Sequence, residues 1–216
     1  MNRYMEFPDP QINDYAEEYT TPESDLLAGI NRETWTEVLM PRMLSGHLQG
    51  RVLSMLSHML QPNRILEVGT YTGYAALCLA EGMGEQGVLH TIDINDELES
   101  RVRRYFAESG KQDQIRFHVG MLFRYPEPKE QWDLVFIDAD KENYARYFDL
   151  VIDDVRSGGW IIADNVLWSG KVLMPEKEMD EETLALHHYN QKVAKDERVE
   201  QVLLPVRDGL MCCRKR

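Results

Sequence analysis

Hydrophobic positions along the chain fall into two alternating patterns. Apolar runs of strand length occupy residues 64–68 (RILEV), 88–93 (VLHTID), 115–119 (IRFHV), 133–137 (DLVFI) and 160–163 (WIIA). Between them, residues 74–83, 96–109 and 144–156 carry the spacing of helices. Strands separated by helices imply right-handed crossovers and a parallel sheet covered by helices on both faces. The tail departs from this rhythm. After a helical stretch at 181–195, the runs 199–206 (VEQVLLPV) and 210–214 (LMCCR) are joined only through Arg207-Asp208-Gly209. So short a link makes an antiparallel hairpin. The pattern therefore predicts a doubly wound α/β fold of seven strands, mostly parallel, ending in an antiparallel hairpin.

Ahead of this core, Leu44, Leu48, Val52, Met55, Leu56 and Met59 form one apolar helical stripe that Pro62 ends. Residues 1–40, with Pro8, Pro10 and Pro22, read as an arm or lid of short helices. Gly158-Gly159 is expected to turn the chain into 160–163, and the eleven methionines to fill the core. With 216 residues and no repeat, a single domain is the natural organisation.

Composition narrows the function classes. The formal charge is −13, with a sequence pI near 4.9, which repels phosphate backbones and argues against general nucleic-acid binding. No apolar run reaches the roughly 20 residues of a membrane span, and residues 1–14 lack the features of a signal peptide. Cys78, Cys212 and Cys213 make no disulfide framework, so a cytoplasmic protein is expected.

Ligands of open α/β sheets bind beyond the carboxyl ends of the strands. Acids stand at that rim on four of the five predicted parallel strands: Glu67, Asp93, Asp138 with Asp140, and Asp164 beside Asn165. A single such acid is commonly a helix cap. Several on one rim repel one another unless a cation lies among them. The first loop, Glu67-Val-Gly69-Thr-Tyr-Thr-Gly73, lacks the third glycine of a dinucleotide site and carries an acid ahead of its glycines. That suits a cofactor with positive charge and no phosphate, such as S-adenosyl-L-methionine (SAM). Asp93 is suited to accept both ribose hydroxyls. Asp138, Asp164 and Asn165 are hard oxygen donors that suit Mg²⁺, with Mn²⁺ or Ca²⁺ as substitutes. Two vicinal phenolic oxygens would complete such a shell. Lys141 is then available to take a proton or to stabilise a phenolate, and Trp168 and Ser169 to line an acceptor pocket.

The segments LEVGTYTGYAAL, VFIDADKENYARYF and IIADNVLWSGKV, with the ending LLPVRDGLMCCRKR, resemble the metal-dependent catechol and caffeoyl-CoA O-methyltransferases, a Rossmann-like class I family with bacterial members. The likeness runs from about Tyr15 to the C-terminus. It implies that Asp138, Asp164 and Asn165 hold the metal and that Lys141 is catalytic. It further implies SAM contacts at Glu67, Gly69, Thr70, Asp93 and Asp138, with Asp140 near the methionyl end and Ser45 near the cofactor entrance. Ala75 stands where the family often has serine, and Met121-Leu122 where it often has Pro-Ala or Asp-Ala.

The sequence thus reads as a SAM- and divalent-metal-dependent O-methyltransferase acting on a small catechol-like acceptor. A tRNA 5-hydroxyuridine O-methyltransferase is the alternative within the fold, disfavoured by the acidic charge. An NAD-dependent oxidoreductase is a more distant one, disfavoured by the glycine pattern and the hairpin. Leu26, Leu27, Ile30, Trp35, Val38 and Leu39 put apolar surface outside the sheet, which together with the resemblance leads us to expect a homodimer.

Overall fold

A computed structural model describes residues 9–122 and 131–216. The first eight residues of the expected arm, Pro8 among them, lie outside the described part. Helices α1 (Pro10–Glu18), α2 (Asp25–Glu37) and α3 (Gly46–Leu60) precede β1 (Arg64–Val68), α4 (Tyr74–Ala80), β2 (Val88–Asp93), α5 (Glu99–Glu108) and β3 (Ile115–Val119). There follow β4 (Trp132–Ile137), α6 (Tyr144–Val151), β5 (Val155–Ala163), α7 (Glu181–Ala194), β6 (Val199–Leu204) and β7 (Leu210–Lys215). The sheet has the order β3-β2-β1-β4-β5-β7-β6, with β7 antiparallel to both its neighbours. The expected class and strand count hold. The described residues group into two compact units, Tyr15–Pro126 and Met1–Asp14 with Glu127–Arg216.

In the Tyr15–Pro126 unit, β1 pairs with β2 so that Glu67 lies opposite Thr91, and β2 pairs with β3. Helix α4 is buried along its whole length, which is why its sequence shows no polar face. Helix α3 corrects the expected stripe. Met55 and Met59 are exposed, and the buried face is Gln49, Gly50, Leu53, Ser54 and Ser57. These residues allow α4 to approach closely. A Cβ on Gly50 would lie 2.6 Å from the Tyr74 ring, and the Ser57 hydroxyl donates to the Leu79 carbonyl at 2.5 Å. Methionine as core filler fails for the same reason: among the described methionines only Met211 is buried.

His90 on β2 is buried and hydrogen-bonds His118 on β3 at 3.2 Å. Burial, reinforced by the neighbouring His118 and Arg116, holds His90 down at about 4. Below its unfolded value of about 6.5 the unfolded chain therefore binds a proton that the folded chain refuses. Stability is expected to fall as pH drops from about 6.5 to 4. Urea unfolding of wild type and His90→Gln should show a steeper loss for wild type across that window. Parallel curves would refute the assignment.

In the other unit, β4 pairs with β5, and β5 with β7. Strand β5 begins at Val155 and runs through Gly158-Gly159, so the expected turn is an irregularity inside a strand. The register shifts between Trp132 and Leu134 to accommodate it. A Cβ on Gly159 would lie 2.7 Å from Val155 Cγ1, which explains a glycine there. The three cysteine thiols are buried and free, and burial pushes Cys212 up to about 11 and Cys78 and Cys213 to about 12. They are inert at neutral pH.

Candidate active site

The two units each carry part of the expected rim. In the Tyr15–Pro126 unit, the loop after β1 is built around Asp93. Its Oδ2 accepts the backbone N–H groups of Thr70 (2.9 Å) and Tyr71 (2.7 Å), and its Oδ1 accepts that of Asn95 (2.9 Å). Gly69, Tyr71 and Gly73 all have positive φ, and Gly73 also leaves no room for a side chain, since a Cβ would lie 2.8 Å from the Phe106 ring. The glycines thus satisfy backbone geometry, and the acid at the end of β2 pins the loop they shape. Glu67 is fully buried. Its carboxylate accepts the Thr91 hydroxyl, which is 2.5 Å from the Thr70 hydroxyl, so one chain of hydrogen bonds ties β1, β2 and the loop. Thr70 and Thr91 are part of that support, and sequence reasoning did not single out Thr91. Its only signal is its register opposite Glu67.

The remaining positions expected near a cofactor in this unit are scattered in exposure. Ser45 is buried just ahead of α3, Ala75 is buried in the first turn of α4, and Met121 is half exposed. Tyr71 donates its hydroxyl to the carbonyls of Leu39 (3.0 Å) and Met40 (3.2 Å), so the end of the arm is fastened to the glycine loop. Helix α2 is fastened to α5 by Glu33, which pairs with Arg101 and Arg104, and by Glu37, 3.0 Å from Arg101.

In the other unit, Asp138, Lys141, Asp164 and Asn165 converge. Lys141 is buried, and its Nζ donates to Asp138 Oδ1 (3.0 Å), Asn165 Oδ1 (2.8 Å) and the Tyr144 hydroxyl (2.8 Å). The solvated surface lysine that its sequence context permits is therefore not what folds. Asp164 is buried, and its Oδ1 accepts the Asn165 N–H at 2.6 Å. Tyr144 is completely buried, and burial together with the charges of Asp138 and Asp164 raises its phenol well above the usual range. It stays a neutral hydroxyl beside the ammonium. Its ring is braced edge-on by Tyr189, 5.6 Å away. Tyr144 escaped sequence reasoning, although its place three residues after Lys141 on a helical start was a usable signal. Asp140 is exposed and held by Tyr147 (2.5 Å) and Asn143, two further partners not foreseen.

Trp168 lies with its ring centre 5.7 Å from Lys141 Nζ and 6.0 Å from Lys171 Nζ. Its indole N–H is buried, and nothing among the described residues accepts it. Ser169 is exposed, and its backbone N–H is accepted by Asp208 Oδ1 at 2.5 Å. Burial raises the Asp208 carboxyl, against the Ser169 N–H and the charges of Lys141 and Arg207.

The donor set can be tested against a metal on this geometry. Oxygens of Asp138 and Asn165 already face one cation, the Lys141 ammonium, and the buried Asp164 carboxylate is bonded to the Asn165 backbone. No three His, Cys, Asp or Glu side chains among the described residues are grouped so as to hold a metal ion, so an ion here would rest on two carboxylates and one amide oxygen. All are hard donors, and the set fits a hard divalent ion.

A family model described as O-methyltransferase matches residues 17–216, through both units. A caffeoyl-CoA O-methyltransferase of Zea mays is 34% identical over 179 residues, covering 77% of this chain and 68% of its own. One from Stellaria longipes is 30% identical over 207 residues, covering 89% and 84%. Among solved structures, the SAH-bound methyltransferase PaMTH1 of Podospora anserina superposes with a TM-score of 0.85 at 26% identity, over 95% of this chain and 94% of that one. With a family model spanning nearly the whole sequence and relatives of 30% and 34% identity, the chain belongs to the O-methyltransferase family.

Proposed function

We propose that this O-methyltransferase moves the methyl group of SAM to a hydroxyl of a small catechol-like acceptor, with a divalent cation, most simply Mg²⁺, held by Asp138, Asp164 and Asn165. The observation that carries the proposal is the Lys141 hub, where two of the three oxygen donors meet a buried amine. The SAH-bound state of PaMTH1 and the names of the caffeoyl-CoA relatives support the cofactor and the acceptor class.

SAM supplies an electrophilic methyl on a sulfonium. The pinned Glu67–Gly73 loop and Asp93 would hold it, with Ser45 near its entrance and Ala75 and Met121 as further contact positions. A divalent ion would supply Lewis acidity and a fixed positive charge for the acceptor. Asp138, Asp164 and Asn165 hold that charge, and Trp168 and Ser169 border the acceptor. As an ammonium Lys141 would balance the negative charge of the ionised hydroxyl, and only after giving up a proton itself would its Nζ receive the hydroxyl proton, while Tyr144 and Trp168 restrict its motion. Lys141→Ala is expected to lower kcat by about 10²–10⁴-fold with SAM affinity unchanged. Lys141→Arg keeps the charge but cannot accept a proton, so the fraction it restores separates the two roles. An unchanged kcat in the alanine variant removes Lys141 from the chemistry.

A chain with charge −13 disfavours a tRNA substrate and leaves small acceptors as the better fit. No helix of the described residues is long and apolar enough to cross a membrane, and we take the protein to be cytoplasmic. The arm supports a homodimer: Leu27 and Ile30 are buried within the chain, whereas Trp35, Leu39, Met40 and Met43 are exposed, as are Met55 and Met59 on α3. Light scattering at micromolar concentration is expected to give twice 25.2 kDa, and a monomer mass would overturn the dimer.

A further inference from the structure

Residues 165–169 hold a backbone that their own side chains disfavour. Asn165, Trp168 and Ser169 all have positive φ, at 56°, 46° and 53°, and none is glycine. Such strain persists only where the surroundings over-determine it. Here the surroundings are the β6–β7 turn. Val166 N–H donates to the Gly209 carbonyl (3.2 Å) and Leu167 N–H to the Asp208 carbonyl (2.9 Å). Gly209 packs so tightly that a Cβ on it would lie 2.5 Å from Leu167 Cγ. From α7, Asn190 donates to the Val166 carbonyl at 2.8 Å. The remaining tie, Ser169 N–H to Asp208 Oδ1, is made by a side chain and reaches the strained pair itself. The C-terminal hairpin, which takes no part in binding the cofactor as proposed, is therefore built into the acceptor side of the site.

We infer that Asp208 is a positioning residue of the methyl-transfer reaction: by accepting the Ser169 N–H it fixes the left-handed Trp168-Ser169 turn and thereby the direction of the Trp168 indole. The inference rests on the proposed function for what Trp168 borders, but not for the clamp itself. It explains why an aspartate occupies a hairpin turn that Arg207, at φ 48°, and Gly209, at φ 90°, already close.

The test compares Asp208→Ala and Asp208→Asn, the second keeping an oxygen at Oδ1. In Asp208→Ala, hydrogen exchange of the Ser169 amide, followed by NMR, is expected to quicken about ten- to a hundredfold, the worth of one hydrogen bond to a charged group. The acceptor kcat/KM is expected to fall about ten- to a hundredfold through misplacement, with SAM affinity unchanged. Asp208→Asn should recover most of both losses. Unchanged Ser169 exchange in Asp208→Ala, or an asparagine variant as impaired as alanine, would overturn the inference. If the wild-type enzyme methylates no catechol, the proposed function fails by itself, and Ser169 exchange alone then decides the clamp.

Discussion

Methyl transfer is expected to stop in EDTA and to return when Mg²⁺ or Mn²⁺ is added in excess. The positive charge proposed at Asp138, Asp164 and Asn165 would be worth several kcal/mol to a reaction that turns a hydroxyl into a nucleophile, a loss on the order of a thousandfold when it is removed. The same loss is expected in Asp164→Asn. That substitution keeps an oxygen for the Asn165 N–H, which Asp164 Oδ1 accepts at 2.6 Å, and removes only the charge. SAM affinity, read by calorimetry, should be untouched in the variant, because the glycine loop and Asp93 are intact. A fully active enzyme in EDTA would sink the metal assignment while leaving the fold and the family in place.

Asp93→Ala is expected to abolish measurable SAM binding. Two effects add. The carboxylate is proposed to accept both ribose hydroxyls, and charge-assisted bonds of this kind contribute about 1.5–3 kcal/mol each, or about 10²–10⁴-fold together. The same carboxylate accepts Thr70 and Tyr71 N–H groups, so its loss also releases the loop between Gly69 and Gly73. Calorimetry that finds undiminished affinity would refute the cofactor assignment.

The β strands were legible because a buried parallel strand is a short apolar run, and four of the five predicted ones agree with the structure to within a residue. The fifth, β5, was cut short because Gly158-Gly159 looks like a turn in a sequence, whereas a neighbouring strand can carry two glycines through a register shift. The face of α3 was misjudged for a related reason. Hydrophobicity pointed to Met55 and Met59, yet close helix packing selects small residues, and Gly50, Ser54 and Ser57 at spacings of three and four were the better signal. At the site, the acids and Lys141 stood out because charge at strand ends is chemically conspicuous. Their supports did not. Thr91, Tyr147 and Asp208 matter through side-chain hydrogen bonds to residues 24, 7 and 39 positions away, and no local pattern announces such pairs.

The central claim is that a catechol hydroxyl receives the methyl group of SAM at a magnesium-dependent site, and one assay addresses it directly. Purified enzyme with radiolabelled SAM and Mg²⁺ would be offered a catechol, a caffeoyl ester, a matched monophenol and unmodified tRNA. The account predicts labelled methyl on the vicinal diphenols, little on the monophenol, none on tRNA, and none on any acceptor in EDTA. Label on tRNA alone, or equal transfer to monophenol and catechol regardless of metal, would contradict it.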